Sequence, residues 1–470
     1  MTQEAERPTT PKLAERLATF AAETSFDELP AEVVEATKLQ LLDTVGVGLG
    51  AHAGGADVGG AAAAALRTAE EAGQGPASVI GRERGLPAAD AAFANGVLFH
   101  TLDFDDTHAG SITHVSAVNC AAALAAAEAA GAGGREMLAA SAVGKEVTIR
   151  LGLDGIAVAL LERGFHPTAV LGVFGATAGA ARLRGLDPAA IASGLGIAGS
   201  LAAGLFAYLA DGTDTKPLHA GFAARNGVHA AALAAAGAAG PPSIFEGRFG
   251  IYDAYLGRRE AELDLDDLGR RWELPLIAVK AYPACHFVHS SVHGAGELAQ
   301  DGGVDPASIR RIVVFSPGPG VEVVLEPAAA KVAPRTAYEA KFSMQYSVAA
   351  MLVHGRVDLD SYSAPAIADP AVLDLARLVE YEVRDYPSYP ASYPGGIEIE
   401  LQNGEVLNRD LPHQPGSAEN PLSADAVREK FRRNAALALG AEEAELIERQ
   451  IMRLEQLDDL AELTAALRRA

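Results

Sequence analysis

GGIEIELQNGEVL, residues Gly395–Leu407, breaks the texture of an otherwise Ala-rich chain. Ile397, Ile399 and Leu401 alternate with Glu398 and Glu400, a period of two that puts one face of a strand on a core and the other in water. Asn403-Gly404 then offers the positive φ of a tight turn, and a second run follows, so the stretch predicts a β-hairpin. Upstream, IRRIVVFSP (Ile309–Pro317) is β-branched and bounded by Pro and Gly, and reads as another strand. Between the two, AYEAKFSMQYSVAAMLVHG (337–355) predicts a helix. Residues 278–411 are therefore expected to form a smaller α+β unit.

Outside that unit the spacing is helical. Leu13, Leu17 and Phe20 recur at helix period after the start signal Thr10-Pro11. Val34, Leu41, Leu42 and Val45 continue an apolar stripe. VNCAAALAAAEAAG and NGVHAAALAAAGAAG are Ala-rich helices that stop at Gly. Residues 1–277 are expected to form one helical domain. Residues 412–470, with Ile447, Ile451, Leu454, Leu460, Leu463 and Leu467 on one stripe, are expected to return to it. The fold class expected is mainly α: a large all-helical domain completed by the C-terminal segment, with an inserted smaller α+β domain.

Composition excludes several function classes. A net charge of −23 argues against nucleic acid, because phosphate binding needs a basic face. Two distant cysteines, Cys120 and Cys285, provide neither a disulfide framework nor a CxxC pair, which fits a reducing cytoplasm. MTQEAERPTTPK lacks the apolar core of a signal peptide. IASGLGIAGSLAAGLFAYLA (Ile191–Ala210) has the length of a membrane span, but more than half of it is Ala, Gly and Ser and no Lys or Arg flanks its start. A buried core helix is expected there, and no membrane.

HTLDFDDTHAGSITH (His100–His114) gathers three Asp, three His and three Thr in fifteen positions. No HExxH, CxxC or calcium-loop spacing is present, so no metal is expected. GVGLG (Gly46–Gly50) follows a helical pattern rather than a strand, so it is not a dinucleotide loop, and no cofactor is expected. Nine of the twelve histidines fall between His100 and His293. They sit in short unusual phrases: RGFHPTAV around His166, DGTDTKPLHAGFAARNG with Lys216 and His219, and KAYPACHFVHSSVH with Lys280, His286 and His289. AKFSMQYSVA adds Tyr346.

Taken in order, AAFANGVLFHTLDFDDTH, GFHPT, KPLHAGFAARNG, KAYPACHFVH, KFSMQY and GSAENPLS resemble the MmgE/PrpD family over about residues 10–435. The resemblance implies a helical domain with an inserted α+β lid, a homodimer, and neither metal nor organic cofactor. It implies a lyase that dehydrates or hydrates a di- or tricarboxylic acid such as 2-methylcitrate, with a cis-aconitate-type decarboxylase or an iminodisuccinate-type epimerase as alternatives and a non-catalytic carboxylate-binding protein as the last. Asp103, His114, His166, Lys216 and Tyr346 match its catalytic positions, and Thr107, Lys280, His286 and His289 are expected to bind substrate. Two positions depart from the family pattern: Val115 replaces the usual Pro, and His286 stands where many relatives carry Arg. These residue types suit chemistry next to a carboxylate. Lysines and histidines balance the charge that builds there, while imidazoles carry protons near neutral pH.

Overall fold

The computed structural model describes residues 12–54, 60–210, 213–258 and 263–470. The chain divides into two units: one runs to Ile277 and resumes at Ala424–Ala470, and the other is Ala278–Ser423. The start signal Thr10-Pro11 lies outside the described residues.

The first unit is helical among its described residues. Helix Leu13–Glu23 buries Leu17 and Phe20, and Ala31–Ala53 contains the GVGLG run within an unbroken helix. Four helices surround the region of interest: Ala88–Thr101, Val115–Ala130, Pro167–Leu183 and Lys216–Ala235. Their small residues allow close approach. A Cβ on Gly221 would lie 2.7 Å from the Phe93 carbonyl oxygen, and one on Gly144 2.9 Å from the Gly175 carbonyl oxygen. Both are shorter than side chains tolerate, so these crossings require glycine. The uncharged run Ile191–Ala210 does not form one long helix. It resolves into Pro188–Ala198 and two 3₁₀ turns, Gly199–Leu201 and Phe206–Leu209. Among the described residues, no helix is long and apolar enough to cross a membrane.

The C-terminal segment returns through Ala424–Ala435, whose Lys430 pairs with the buried Asp43 at 2.7 Å. The return begins later than residue 412, however. The Val279 N–H donates to the Gly416 carbonyl, and Gln414 accepts from Ser392 and from the Tyr393 N–H. Those bonds hold residues 412–423 to the second unit.

The second unit is built on a four-stranded sheet: β1 (Ile309–Ser316), β2 (Val379–Val383), β3 (Gly395–Leu401) and β4 (Val406–Leu411), in the order β2-β1-β3-β4. β1 pairs parallel with β2 and antiparallel with β3. The β3–β4 hairpin closes at the expected turn: the Gly404 N–H donates to the Leu401 carbonyl, and Gly404 takes φ +87°. Ile397 and Ile399 face the core with Val288, Val292, Ile312 and Val314. The single helix expected over 337–355 is two, Ala337–Lys341 and Met344–His354. Ser343 interrupts them because its side chain accepts from the Tyr346 N–H and caps the second helix. β2 escapes the sequence reading, since it is a short edge strand mostly open to solvent.

Candidate active site

Three residues singled out from the sequence stand at helix starts. His114 caps Val115–Ala130, His166 caps Pro167–Leu183, and Lys216 opens Lys216–Ala235. Pro167 and Pro217 sit in the first turns, where a missing N–H costs nothing and φ is already set for a helix. Such termini carry unpaired N–H groups and the positive end of the helix dipole, so together they favour an anion.

The loop His100–His114 brings its acids to these starts. Helix Ala88–Thr101 ends there, and Asp103 adopts a left-handed backbone at φ 54°. That conformation costs a non-glycine residue about 1–2 kcal/mol, least for Asp and Asn. It accompanies an ion pair, in which Lys216 Nζ donates to Asp103 Oδ1 at 2.6 Å. Asp105 is fully buried and accepts from His100 Nδ1 at 2.7 Å, with His114 Nδ1 a further 3.4 Å away. The same His114 nitrogen lies 3.0 Å from the Asp106 carbonyl and 3.3 Å from Thr107 Oγ1. The His114 N–H donates to Thr168 Oγ1, and Lys430 Nζ donates to the Phe104 carbonyl at 2.9 Å, fixing the loop at both ends.

The imidazoles of this cluster touch one another. His100 and His114 have ring centroids 4.6 Å apart, and His100 and His166 5.9 Å. His166 Nδ1 lies 3.0 Å from His219 Nδ1. Burial, then His100, Lys216 and His219, hold the His166 imidazole well below its usual pKa. Burial, then His100 and Lys216, bring His219 down to about 4. Burial raises the Asp106 carboxyl above its ordinary value. One ring nitrogen of each of His100, His114 and His166 lies within 4.8 Å of the others, a grouping able to hold a metal ion. His100 and His114 end one fifteen-residue stretch, and only the fold brings His166 to them.

Asp103, Thr107, His114, His166 and Lys216 thus come together in the first unit. His100, Asp105 and His219 join them without having been selected from the sequence. A signal for His219 was present: it follows Lys216 by three residues, so both face one side of the same helix. Lys280, His286, His289 and Tyr346 belong to the second unit. His286 opens helix His286–Gly302 and stacks at 5.1 Å on Tyr393. His289 is buried, with Nε2 3.2 Å from the Ala284 carbonyl, and Lys280 is 2 % exposed. Tyr346 lies in the core of its unit, and its hydroxyl donates to the Ser361 carbonyl at 2.6 Å. Burial pushes its pKa up to about 12, so the acid role expected of it would require that bond to break.

Comparison with known proteins agrees with the pattern of motifs. The model of the MmgE/PrpD N-terminal domain matches residues 15–264, and that of the C-terminal domain matches 282–456. The chain is 30 % identical to the cis-aconitate decarboxylase-like protein oryM of Aspergillus oryzae, over 96 % of each chain. It is 32 % identical to human cis-aconitate decarboxylase, over 82 % of this chain and 80 % of the relative. It is 26 % identical to cis-aconitate decarboxylase of Aspergillus terreus, over 95 % and 94 %. On the strength of both domain matches, the chain belongs to the MmgE/PrpD family.

Proposed function

We propose that this chain is a lyase that decarboxylates a di- or tricarboxylic acid of the cis-aconitate type, using its own side chains and no organic cofactor. The observation that carries this reading is the meeting of three helix starts, bearing His114, His166 and Lys216, over the Asp103–Lys216 pair. The sequence alone ranked dehydration first. The relatives, named as decarboxylases or decarboxylase-like, favour loss of CO2.

Lys216 and the helix starts hold the substrate carboxylates. When the bond to the departing carboxylate breaks, its electron pair stays on the carbon skeleton and spreads into a remaining conjugated carboxylate. Fixed cations and N–H groups stabilise that charge without having to reorganise. A proton then goes to carbon. His114 suits its delivery, since Asp105 and the Asp106 carbonyl lie behind its Nδ1, where a charge on the ring is balanced. His166, kept neutral, takes no proton in this step and suits holding a substrate carboxylate by a ring hydrogen bond. Two imidazoles in unlike surroundings thereby take unlike roles. Thr107 orients His114, and Asp103 orients Lys216.

Lys280, His286 and His289 enter as substrate-contacting candidates on the sequence pattern alone. A Lys280→Met variant with raised KM and an unchanged kcat would support that part. A homodimer is also proposed: Leu205 and Leu209 are 55 % and 60 % exposed, an apolar surface suited to a second copy. Light scattering of the purified protein tests it.

The deciding experiment incubates the protein with cis-aconitate, citrate, 2-methylcitrate and aspartate-derived acids in D2O, followed by mass spectrometry. Loss of CO2 with one deuterium gained on carbon is expected. Loss of water would replace this reading by a dehydratase, and deuterium gain alone by an epimerase.

A further inference from the structure

We infer that the groove between the two returning helices, Ala424–Ala435 and Ala441–Met452, binds an amphiphilic organic anion: a carboxylate or phosphate head on an unbranched apolar tail. The groove lies wholly within the first unit, and its ligand is independent of the reaction proposed above.

The two helices are joined by residues 436–440 and enclose a cavity of about 800 Å³, within the range of small-molecule sites. The guanidiniums of Arg428, Arg432, Arg449 and Arg453 line it, against the carboxylates of Glu445 and Glu448. Two positive charges are left over, in a chain of net charge −23. Such a local excess of cations makes the groove attractive to an anion although the chain as a whole is acidic.

The pairing among these residues is uneven. Arg432 grips Glu448 through two hydrogen bonds of 2.7 Å, the strong two-pronged arrangement. Arg449 stands 3.8 Å from Glu445, and Arg453 4.0 Å from Glu462, both beyond hydrogen-bond range. The Nε atoms of Arg428 and Arg453 are buried and have no hydrogen-bond partner among the described residues. A buried N–H without an acceptor is costly, so two of them in one groove favour a ligand that accepts. Carboxylate and phosphate oxygens do so in the geometry a guanidinium prefers.

The groove also changes character along its length. Arg428 lies in the first half of its helix and Arg453 just past the end of the other, both away from the connecting loop. At the loop end the lining is apolar, from Ala436, Leu439 and Ala444. An inorganic ion would use the arginine end alone, whereas a head with a tail fills both. Val427, Lys430, Phe431 and Asn434 of the first helix are buried, so a ligand in the groove leaves their core contacts in place.

The test titrates the full-length protein by calorimetry with two series, ethyl to decyl phosphate and acetate to decanoate, below the concentrations at which they form micelles. One molecule bound per chain is expected, with affinity rising about fourfold for each CH2 that enters the groove. Arg428→Gln and Arg453→Gln should each weaken binding roughly 10–100-fold, as loss of a hydrogen bond to a charged group does. Arg433→Gln, exposed on the same helix but outside the groove, should leave binding unchanged. Ala436→Trp, which fills the loop end, should remove the gain with chain length and retain the binding of the short ligands. Melting curves without ligand establish that each variant is folded, and saturating decyl phosphate or decanoate should raise the melting temperature of the wild type. The tighter of the two series names the head. Affinity that ignores chain length overturns the tail. No binding in either series, several molecules per chain, or equal weakening by Arg433→Gln overturns the site.

Discussion

His166 and His219 face each other through like atoms: their Nδ1 nitrogens lie 3.0 Å apart, with the residues only 2 % and 6 % exposed. Two ring nitrogens at that distance can bond only if one carries a hydrogen and the other does not. The pair therefore fixes two tautomers at once, and the surroundings keep both rings uncharged. His219 is accordingly a positioning residue for His166.

Removing that partner should slow the reaction without unfolding the protein. His219→Ala is expected to lower kcat about tenfold, the value of one hydrogen bond of roughly 1–1.5 kcal/mol, with KM little changed. His219→Gln, which can still bond to His166, should recover part of the loss. Equal rates for wild type and His219→Ala would sink the idea.

The Asp103–Lys216 pair separates catalysis from stability. Lys216→Met should cost about 10²–10³ in kcat/KM if its charge stabilises the reacting carboxylate. It also takes the cation away from Asp103, which is 4 % exposed, so stability should fall as well. Adding Asp103→Asn to Lys216→Met should restore much of the melting temperature and none of the activity. If the double variant regains activity, the lysine is only structural.

Acid should weaken the protein through its neutral histidines. Unfolded imidazoles titrate near 6.5. Above that pH both states hold the rings neutral and stability is complete. As pH falls from 6.5 towards His219's value of about 4, the unfolded chain binds protons that the folded chain refuses, and stability is lost. At about 1.4 kcal/mol per pKa unit, His219 alone accounts for a loss of about 3 kcal/mol. Asp43, which burial pushes up to about 6, gains its proton in the folded state and offsets part of this. Melting curves from pH 7 to 4.5 check the slope, which His219→Gln should flatten. The acid limb of kcat/KM should likewise lie below pH 6.5.

Lys430 ties the returning C-terminal helix to the His100–His114 loop, through Asp43 and the Phe104 carbonyl. Lys430→Met should destabilise the protein by about 3–5 kcal/mol by leaving a buried carboxylate unpaired. It should lower kcat as well, because Phe104 lies between Asp103 and Asp105. Full activity in a cooperatively folded Lys430→Met protein would show that the loop holds itself in place.

Much of this was legible in the sequence. The alternation at Ile397 and Ile399 and the turn at Asn403-Gly404 gave the hairpin, because strand period and turn chemistry are local properties. The helix stop at Gly131 was local in the same way, whereas the run expected to stop at Gly240 leaves its helix earlier, after Ala235. Asp103, His114, His166 and Lys216 stood out because each sits in a phrase that resembles a motif of the family. β2 did not, since Val379–Val383 becomes a strand only by pairing with β1, some seventy residues away. The run Ile191–Ala210 misled, because hydropathy alone cannot tell one long buried helix from a short helix and two 3₁₀ turns.

By itself, then, the sequence determined the helical texture, the β3–β4 hairpin and which residues carry chemistry. Only the tertiary structure decided which of those residues meet. Asp105 behind His100, His219 against His166 and three imidazoles within 4.8 Å join segments distant in the chain or turned together by a loop. The charge and tautomer of a buried imidazole depend on what packs against it, and no local pattern encodes that.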